Sequence, residues 1–424
     1  MSIQTVLIIG YVWPEPNSSA AGKHMLSLLA LFMRQGWSLT FASPAAKGEH
    51  KLDLNELGIA EHPIALNCSS FDDFITSLAP DLVLFDRFML EEQFGWRVAK
   101  HCPDALKVLD TEDLHCLRHA RHQAFKKQQI VTDELLKADM AQREVAAIYR
   151  CDLSLIISSY ELALLQDSFA VPDFLLHHCP FMLNIEQCEQ QQSLNKQDNW
   201  SQRQHFISIG NFRHEPNWNA VLWLKSAIWP LIRSALPQAE LHIYGAYPPP
   251  KATQLHNASQ GFLVKGWAED APTVMRSARI CLAPLRFGAG LKGKLAEAML
   301  CGTPSVTTDI GAEGMGAQSA WPGVIANTPE AIAQGAIALY QHNDVWRQCQ
   351  SRGYDVLQQN FNERILGPEL ISRLLHVRQN LTQHRLANFT GTMLQHHQHK
   401  STQYMAQWIE AKNQHLPSVE ADKK

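Results

Sequence analysis

Residues 280–302 read ICLAPLRFGAGLKGKLAEAMLCG, and TPSVTTDIGAEGM follows them directly. The stretch begins as a short apolar run that predicts a buried strand, passes through a glycine-containing loop, and continues as a helix from about Lys292. A strand that enters a helix in this way leaves free backbone N–H groups at the helix start, where the helix dipole also favours an anion. The stretch therefore predicts an α/β unit with a phosphate-binding turn.

Two lysines, Lys292 and Lys294, stand at the start of this predicted helix. Cations are unfavourable at the positive end of a helix dipole, so their position indicates a bound anion that offsets the cost. About one turn further along, Glu297 lies among apolar residues, and its carboxylate could accept hydrogen bonds from both hydroxyls of a ribose. The pattern leaves open an ordinary α/β turn with solvated lysines and a surface glutamate.

The segment FGAGLKGKLAEAMLCGTPSVTT, extended by IGAEGM, resembles the donor-site signature of family 4 glycosyltransferases, which are retaining enzymes of the bacterial surface-glycan type. The resemblance implies the GT-B fold, in which two Rossmann-like, doubly wound α/β domains face a central cleft. It also implies a set of residues that bind the nucleotide-sugar donor. These residues are Gly288, Gly290, Leu291, Lys292, Lys294 and Glu297.

One position departs from the family pattern. Many members carry a glutamate eight residues before the position of Glu297, and this chain has Ala289 there. The family's contact from that glutamate to the donor sugar is therefore missing. Two alternatives to sugar transfer stay open: a nucleotide-sugar epimerase of the same fold, and an inactive protein that binds a nucleotide sugar.

Length and composition narrow the class of protein. The chain has 424 residues, 46% of them hydrophobic and 18% charged, which is typical of a globular protein with two domains. The net charge of −4 gives no support for nucleic-acid binding. Nine cysteines without C-x-x-C pairs predict free thiols in a reducing compartment. Without a basic leader or a long apolar run, we expect a cytoplasmic protein, with peripheral contact at the inner face of the membrane as a further option.

The first residues predict the opening of a doubly wound domain. TVLIIG at residues 5–10 predicts a buried strand, and a loop, a helix and the strand SLTFAS follow. The intervening loop is small and polar, and it resembles the family loop that lies between the donor phosphate and the acceptor. The residues that this resemblance places on the acceptor side are Ser18, Ser19 and Gly22. An ordinary βα loop is the alternative.

Several titratable side chains follow another predicted strand, LKVLD, in the segment DTEDLHCLRHAR at residues 110–121. Such groups at the carboxyl end of a strand favour a site over a solvated loop. The segment resembles the family's D-x-x-D-L-H-x-x-R stretch. The resemblance implies that Asp113 or His115 lies near the reacting sugar, so these two residues and Lys292 are the predicted catalytic residues.

Beyond this segment the pattern predicts one long helix over about residues 132–150, followed by a strand. Ser158, Ser159 and Glu161 are predicted to cap the helix after that strand. Residues 184–204 are rich in Gln and Asn and predict a linker. The strand, loop and helix order then restarts. We therefore predict an acceptor-side domain over 1–190, a donor-side domain over 205–375 and a helical extension over 376–424.

Arg213 follows the first strand of the second domain, where family members place a basic residue that meets the donor diphosphate. The planar guanidinium suits that role because it binds phosphate oxygens in pairs, although an ordinary surface arginine is the alternative. The function that the resemblance implies is transfer of a sugar from a nucleotide diphosphate to a hydroxyl acceptor, in surface polysaccharide or glycolipid synthesis.

No metal and no other cofactor is predicted. The chain contains no D-x-D triplet that would hold a diphosphate through a metal ion, and lysine and arginine would carry that charge instead. His396, His397 and His399 have no acidic or cysteine neighbour and predict a solvated helical face. The expected partners are a nucleotide sugar and a glycan or glycolipid acceptor.

Overall fold

Two parallel β-sheets, each flanked by helices, make up the computed structural model, which describes residues 2–184, 186, 200–316 and 320–414. The strands of the first sheet are β1 (Thr5–Ile9), β2 (Ser38–Ser43), β3 (Ala60–Pro63), β4 (Leu82–Asp86), β5 (Leu106–Asp110), β6 (Leu153–Ile156) and β7 (Leu176–His178). The helices around it are α1 (Ala20–Met33), α2 (Ser70–Leu78), α3 (Phe88–His101), α4 (His115–Lys126), α5 (Asp133–Leu136), α6 (Asp139–Arg150) and α7 (Ser159–Phe169).

The second sheet repeats this arrangement. Its strands are β8 (His205–Ile209), β9 (Leu241–Tyr244), β10 (Phe262–Gly266), β11 (Ala278–Ala283), β12 (Ser305–Thr307) and β13 (Gly323–Ile325). Its helices are α8 (Glu215–Trp223), α9 (Trp229–Ala235), α10 (Pro250–Thr253), α11 (Ala271–Ser277), α12 (Gly293–Leu300), α13 (Asp309–Ala312), α14 (Pro329–Gln341) and α15 (Asn343–Asn360). Three further helices end the described chain: α16 (Glu363–Gln379), α17 (Leu381–Ala387) and α18 (Phe389–Gln414).

Both sheets have the same strand order. The first runs β3-β2-β1-β4-β5-β6-β7 and the second β10-β9-β8-β11-β12-β13, with every pairing parallel. The order reverses at β1 and β4, and at β8 and β11, so a crevice opens at the carboxyl ends of those strands. The prediction of two doubly wound α/β domains is confirmed.

Short apolar runs form the central strands because helices cover both faces of a parallel sheet. All residues of β4, β5 and β6 are buried, as are four of the five residues of β1. The first helix, α1, begins after Ser19, whose hydroxyl oxygen accepts a hydrogen bond from the Gly22 N–H at 3.0 Å. The polar loop after β1 is therefore held at its end by a helix cap.

The chain passes between the two sheets at two adjacent places. Leu183 donates its N–H to the carbonyl oxygen of Phe361 at 2.7 Å, and its own carbonyl oxygen accepts from the Glu363 N–H at 3.1 Å. Leu370, Leu374 and other apolar residues of α16 then pack into the core of the first sheet. The predicted boundary at residue 375 falls inside α16. The predicted linker lies mostly outside the described residues, as do residues 415–424 of the extension.

The single helix predicted over residues 132–150 was wrong, because the structure has two helices, α5 and α6. The hydroxyl of Thr132 caps α5, and Ala138 adopts an extended backbone (ψ 178°) that separates the two. The buried face of α6 includes Glu144, whose carboxylate accepts the N–H groups of His115 and Cys116. The contacts of Glu144 thus tie α6 to the start of α4. None of the helices described is both long enough and apolar enough to span a bilayer.

Candidate active site

A cavity of about 800 Å³ lies between the two sheets at the carboxyl ends of their strands. All the predicted site residues line it: Ser18, Ser19, Gly22, Asp113, His115, Arg213, Gly288, Gly290, Leu291, Lys292, Lys294 and Glu297. The structure thus brings together residues that are far apart in the sequence. Their individual roles remain predictions.

The segment 287–292, called the glycine loop here, joins β11 to α12 and forms one wall of the cavity. Gly290 has φ +64°, a left-handed conformation that favours glycine. Lys292 ends the loop, and its ammonium group donates to the carbonyl oxygens of Ala289 at 3.2 Å and Gly290 at 2.5 Å. Burial lowers the pKa of Lys292 to about 8, although the carboxyl groups of Glu313 and Glu161 oppose the shift. The cation is therefore held directly beside the loop.

Lys294 lies one residue into α12, and its ammonium group donates to the side-chain oxygen of Asn217 at 2.7 Å. Burial lowers the pKa of Lys294 to about 8. A Cβ on Gly210, at the end of β8, would lie 2.7 Å from both the Lys294 nitrogen and the Asn217 amide nitrogen. Gly210 therefore gives these two side chains the space to meet in the cavity wall.

Arg213 lies at the mouth of the cavity and is exposed. Its guanidinium stacks on the ring of Tyr247, 3.6 Å from the ring centroid. The Tyr247 hydroxyl donates to Glu15 of the first domain, 3.1 Å from each carboxylate oxygen. The predicted diphosphate-binding arginine is thus held on a tyrosine that also contacts the opposite domain.

Glu297, the predicted ribose-binding carboxylate, forms an ion pair across the cavity. It accepts a hydrogen bond from the ammonium group of Lys23 on α1 at 3.0 Å. The Lys23 side chain is 46% exposed, whereas that of Glu297 is 14% exposed. Lys23 is an additional cation in the cavity that sequence reasoning missed, because it belongs to no motif.

Asp113 and His115 lie together on the first domain's side of the cavity. Burial alone would raise the pKa of Asp113, but the charges of Arg118 and His115 outweigh it and lower the pKa to about 2. Arg118 donates to both carboxylate oxygens of Asp113, at 2.7 and 2.6 Å. His115 Nδ1 lies 3.0 Å from the Asp113 carbonyl oxygen. Asp113 is therefore an ionised, already paired carboxylate at neutral pH.

Of the further acidic groups beside this pair, Asp86 was missed, whereas Asp110 and Glu112 belong to the predicted titratable segment but were given no role. Asp86 and Asp110 end the neighbouring strands β4 and β5 in register. Burial, reinforced by Asp86, raises the pKa of Asp110 to about 7, and burial also raises that of Glu112 well above its usual value. Arg87 and Glu112 have φ +71° and +56°, the kind of backbone strain that is concentrated at functional sites. The signal in the sequence was an aspartate at the end of two successive apolar runs.

Two contacts join the glycine loop and its neighbourhood to the first domain. Arg121 on α4 donates to both carboxylate oxygens of Glu313 at 2.7 Å, and also to the Gly288 carbonyl oxygen at 2.8 Å. Glu161 accepts the Gly290 N–H at 2.7 Å. The prediction that Glu161 caps its own helix was wrong, because its carboxyl group faces the other domain and is fully buried. Ser158 precedes α7 but makes no side-chain cap hydrogen bond.

Within the described part of the chain, no three or more His, Cys, Asp or Glu side chains are grouped so that they could hold a metal ion. The side chains of His397 and His399 lie outside the described residues. The metal-free site stays a prediction.

Residues 203–342 match the family model described as glycosyl transferases group 1. These residues include β8, the glycine loop and all four predicted donor-side charges. No curated protein matches the sequence of the chain.

Solved structures resemble the whole fold. HepE of Anabaena in complex with UDP has a TM-score of 0.66 at 12% identity, over 88% of this chain and 100% of that one. A sucrose-phosphate synthase from Thermosynechococcus elongatus has a TM-score of 0.64 at 15% identity, over 88% and 99%. WaaG, a glycosyltransferase involved in lipopolysaccharide biosynthesis, has a TM-score of 0.57 at 12% identity, over 86% and 98%. The GT-B fold is confirmed, and the group 1 domain together with these structures supports a glycosyltransferase.

Proposed function

We propose that the protein transfers a sugar from a nucleotide-diphosphate sugar to a hydroxyl acceptor. The proposal rests on one observation: Lys292, Lys294, Arg213 and the start of α12 line the same cavity. All of them lie inside the segment that matches group 1 glycosyltransferases. Fixed cations and free amide groups at one place suit a diphosphate, which must carry negative charge when it leaves the sugar. UDP is the first nucleotide to test, since the HepE structure contains it.

The donor would exchange existing contacts for its own. The buried Lys292 ammonium now faces two carbonyl oxygens, and a diphosphate placed beside it would stabilise its charged form. A ribose diol bound to Glu297 would displace Lys23, whose ammonium group would then be free to meet a phosphate oxygen. These exchanges would place positive charge where the leaving diphosphate needs it.

The opposite wall would bind the acceptor. Asp113, paired with Arg118, is a weak base and suits orientation of a hydroxyl group. His115 and Glu112 also line the cavity on this side and are the candidates for sharing the acceptor proton. We propose retention of the anomeric configuration from the family 4 resemblance. The proposed acceptor is a growing surface glycan or glycolipid, which would bring the protein to the inner face of the membrane.

A second candidate is an inactive protein that binds a nucleotide sugar, and Ala289 favours it. This alanine lines the cavity where the family pattern has a glutamate. Two kinds of measurement distinguish the candidates. Calorimetry with UDP, GDP and ADP tests nucleotide binding, because only a ligand that prefers the folded protein raises its melting temperature. Product analysis with the matching nucleotide sugars tests turnover, with and without a hydroxyl acceptor.

A glycosylated acceptor, or acceptor-independent release of free sugar, supports the transferase. Epimerisation of the donor without acceptor would identify an epimerase, and tight binding without any turnover would identify the inactive protein. We also propose that no metal takes part, because lysine and arginine occupy the diphosphate side. Turnover should then persist in EDTA, and loss of turnover that magnesium restores would contradict this.

A further inference from the structure

The first domain holds the backbone of the glycine loop on both sides of Ala289. Arg121 donates to the Gly288 carbonyl oxygen at 2.8 Å, and Glu161 accepts the Gly290 N–H at 2.7 Å. A donor and an acceptor from one domain therefore grip the two peptide groups that flank the position where the family glutamate is missing. Sequence motifs for the donor site include neither Arg121 nor Glu161.

Glu161 ties the loop to the acceptor-side wall as well. The same carboxyl oxygen that accepts from Gly290 also accepts the Leu114 N–H at 3.0 Å, and Leu114 lies between the two predicted catalytic residues Asp113 and His115. The side chain is fully buried, and its second oxygen has no hydrogen-bond partner in the described structure. One carboxyl group thus fixes the distance between the glycine loop and the acceptor-side segment.

The atoms around this contact are closely packed. A Cβ on Gly290 would lie 2.7 Å from the Cβ of Asp113 and 3.6 Å from a side-chain carbon of Ile157. The Gly290 N–H can therefore reach Glu161 only when the two domains are as close as they are here. If the domains separated, the loop would lose both contacts from the first domain at once.

We infer that Glu161 is a positioning residue. When the two domains close, it sets the conformation of the glycine loop around Ala289, the position at which many family members have a glutamate. The inference rests on the proposed function, because it assumes that the glycine loop binds the diphosphate. Glu161 acts through the backbone of Gly290 and does not touch the substrate.

The test compares Glu161→Ala and Glu161→Gln with a matched control, Asp81→Ala. Asp81 also accepts two backbone N–H groups, from Gln4 at 2.9 Å and Thr5 at 3.1 Å, but both lie in its own domain and outside the cavity. Calorimetry first identifies which of UDP, GDP and ADP the wild-type protein binds. The dissociation constant of that nucleotide is then measured for each variant, beside its melting temperature.

We expect Glu161→Ala to weaken nucleotide binding by roughly tenfold, as for loss of one buried hydrogen bond. Glu161→Gln keeps an oxygen that accepts the two N–H groups, so it should restore most of the affinity. Asp81→Ala should lower the melting temperature without changing the dissociation constant. Equal weakening by Asp81→Ala, or unchanged binding by Glu161→Ala, would overturn the inference. If the wild-type protein binds none of the three nucleotides, the proposed function itself fails.

Discussion

The two sheets share the same order of their central strands but bring different charges to the cavity. In the first domain, Asp86 ends β4, and Glu112 and Asp113 follow the next strand, β5. In the second domain, Arg213 follows β8, and Lys292 and Lys294 follow β11. Strand order therefore decides where a ligand can bind, and the residues after each strand decide which charge it can carry.

Under the proposed function, the cationic side would bind the donor diphosphate and the carboxylate side the hydroxyl acceptor. The two ligands would then not compete for one site. The two sides meet through Lys23 with Glu297, Arg121 with Glu313, and Glu161 with the glycine loop. Substitutions on either side of the cavity, or at the contacts between the two sides, therefore test whether the two domains have different roles.

The largest expected effect is on the cationic side. Lys292→Ala removes the buried ammonium group beside the glycine loop and should lower kcat/KM for donor turnover by about 10³-fold, as for loss of one group that stabilises developing charge. The matched control is Lys265→Ala on β10, which is exposed and outside the cavity. Initial rates with the donor identified by calorimetry measure both. Equal activity of the Lys292 and Lys265 variants would contradict a role of the Lys292 charge in turnover.

The second-largest effect is expected at the Arg121–Glu313 contact between the two domains. Glu313→Ala leaves Arg121 buried without its carboxylate partner, which should cost about 3 kcal/mol of stability. Glu92→Ala is the control, since Glu92 pairs with Arg143 inside the first domain and that arginine is 43% exposed. It should cost less than about 1 kcal/mol. Thermal unfolding followed by circular dichroism measures both, and a larger loss for Glu92→Ala would contradict the importance of the interdomain pair.

A smaller effect is expected from shape alone. Gly290→Ala places a Cβ against Asp113 at φ +64°, and it should lower turnover by roughly 10²-fold through a misplaced loop. Gly36→Ala at φ +76° has the same backbone strain but no atom within 4 Å of the added Cβ. Gly290→Ala should lose more stability than Gly36→Ala because its Cβ also meets Asp113, and only Gly290→Ala should lose turnover. Loss of turnover in both would point to strain and not to the approach of the two domains.

The smallest effect concerns pH. Burial and the Asp113 carboxylate raise the pKa of Glu161 from its usual 4.5 to about 8. The folded protein holds this proton more tightly, so the stability from Glu161 is full below pH 4.5 and is lost as the pH rises through about 8. Glu161→Gln cannot ionise. The stability advantage of the wild-type protein over Glu161→Gln should therefore shrink between about pH 5 and pH 8 in urea titrations. An advantage that grows with pH would contradict a raised pKa of Glu161.

Lys292 also faces Glu161, and its lowered pKa acts in the other direction. Burial lowers the pKa of Lys292 from 10.5 to about 8, so ionisation of this lysine increases stability with pH only above about 8. Comparison below pH 8 thus separates the two groups. Above that pH, nucleotide binding should weaken as Lys292 and Lys294 lose their charge.

The sequence was sufficient for the fold and for locating the cavity residues of the second domain; their roles in donor binding stay predictions. Apolar runs such as TVLII and LVLFD predict strands because burial on both faces requires apolar side chains at successive positions. The glycine loop and its lysines form one continuous segment, so the local sequence pattern is enough to predict that they lie together.

The contacts between domains could not be predicted in the same way. Lys23 and Glu297 are 274 residues apart, Arg121 and Glu313 are 192 apart, and Glu161 and Gly290 are 129 apart. No periodicity links such pairs, since they meet only after both sheets have folded. Glu161 also stands three residues after a serine at a helix start, so its sequence context favoured a capping role that the tertiary structure replaced.

The backbone pairing of Leu183 with Phe361 and Glu363 ties the end of the first domain's described segment to the chain that leads into α16. Because α16 returns to complete the core of the first sheet, residues 1–184 expressed alone would leave the apolar surface beneath Leu370 and Leu374 open to solvent. The first domain therefore depends on α16 to cover its core, and residues 1–184 produced alone should be less soluble than the whole chain.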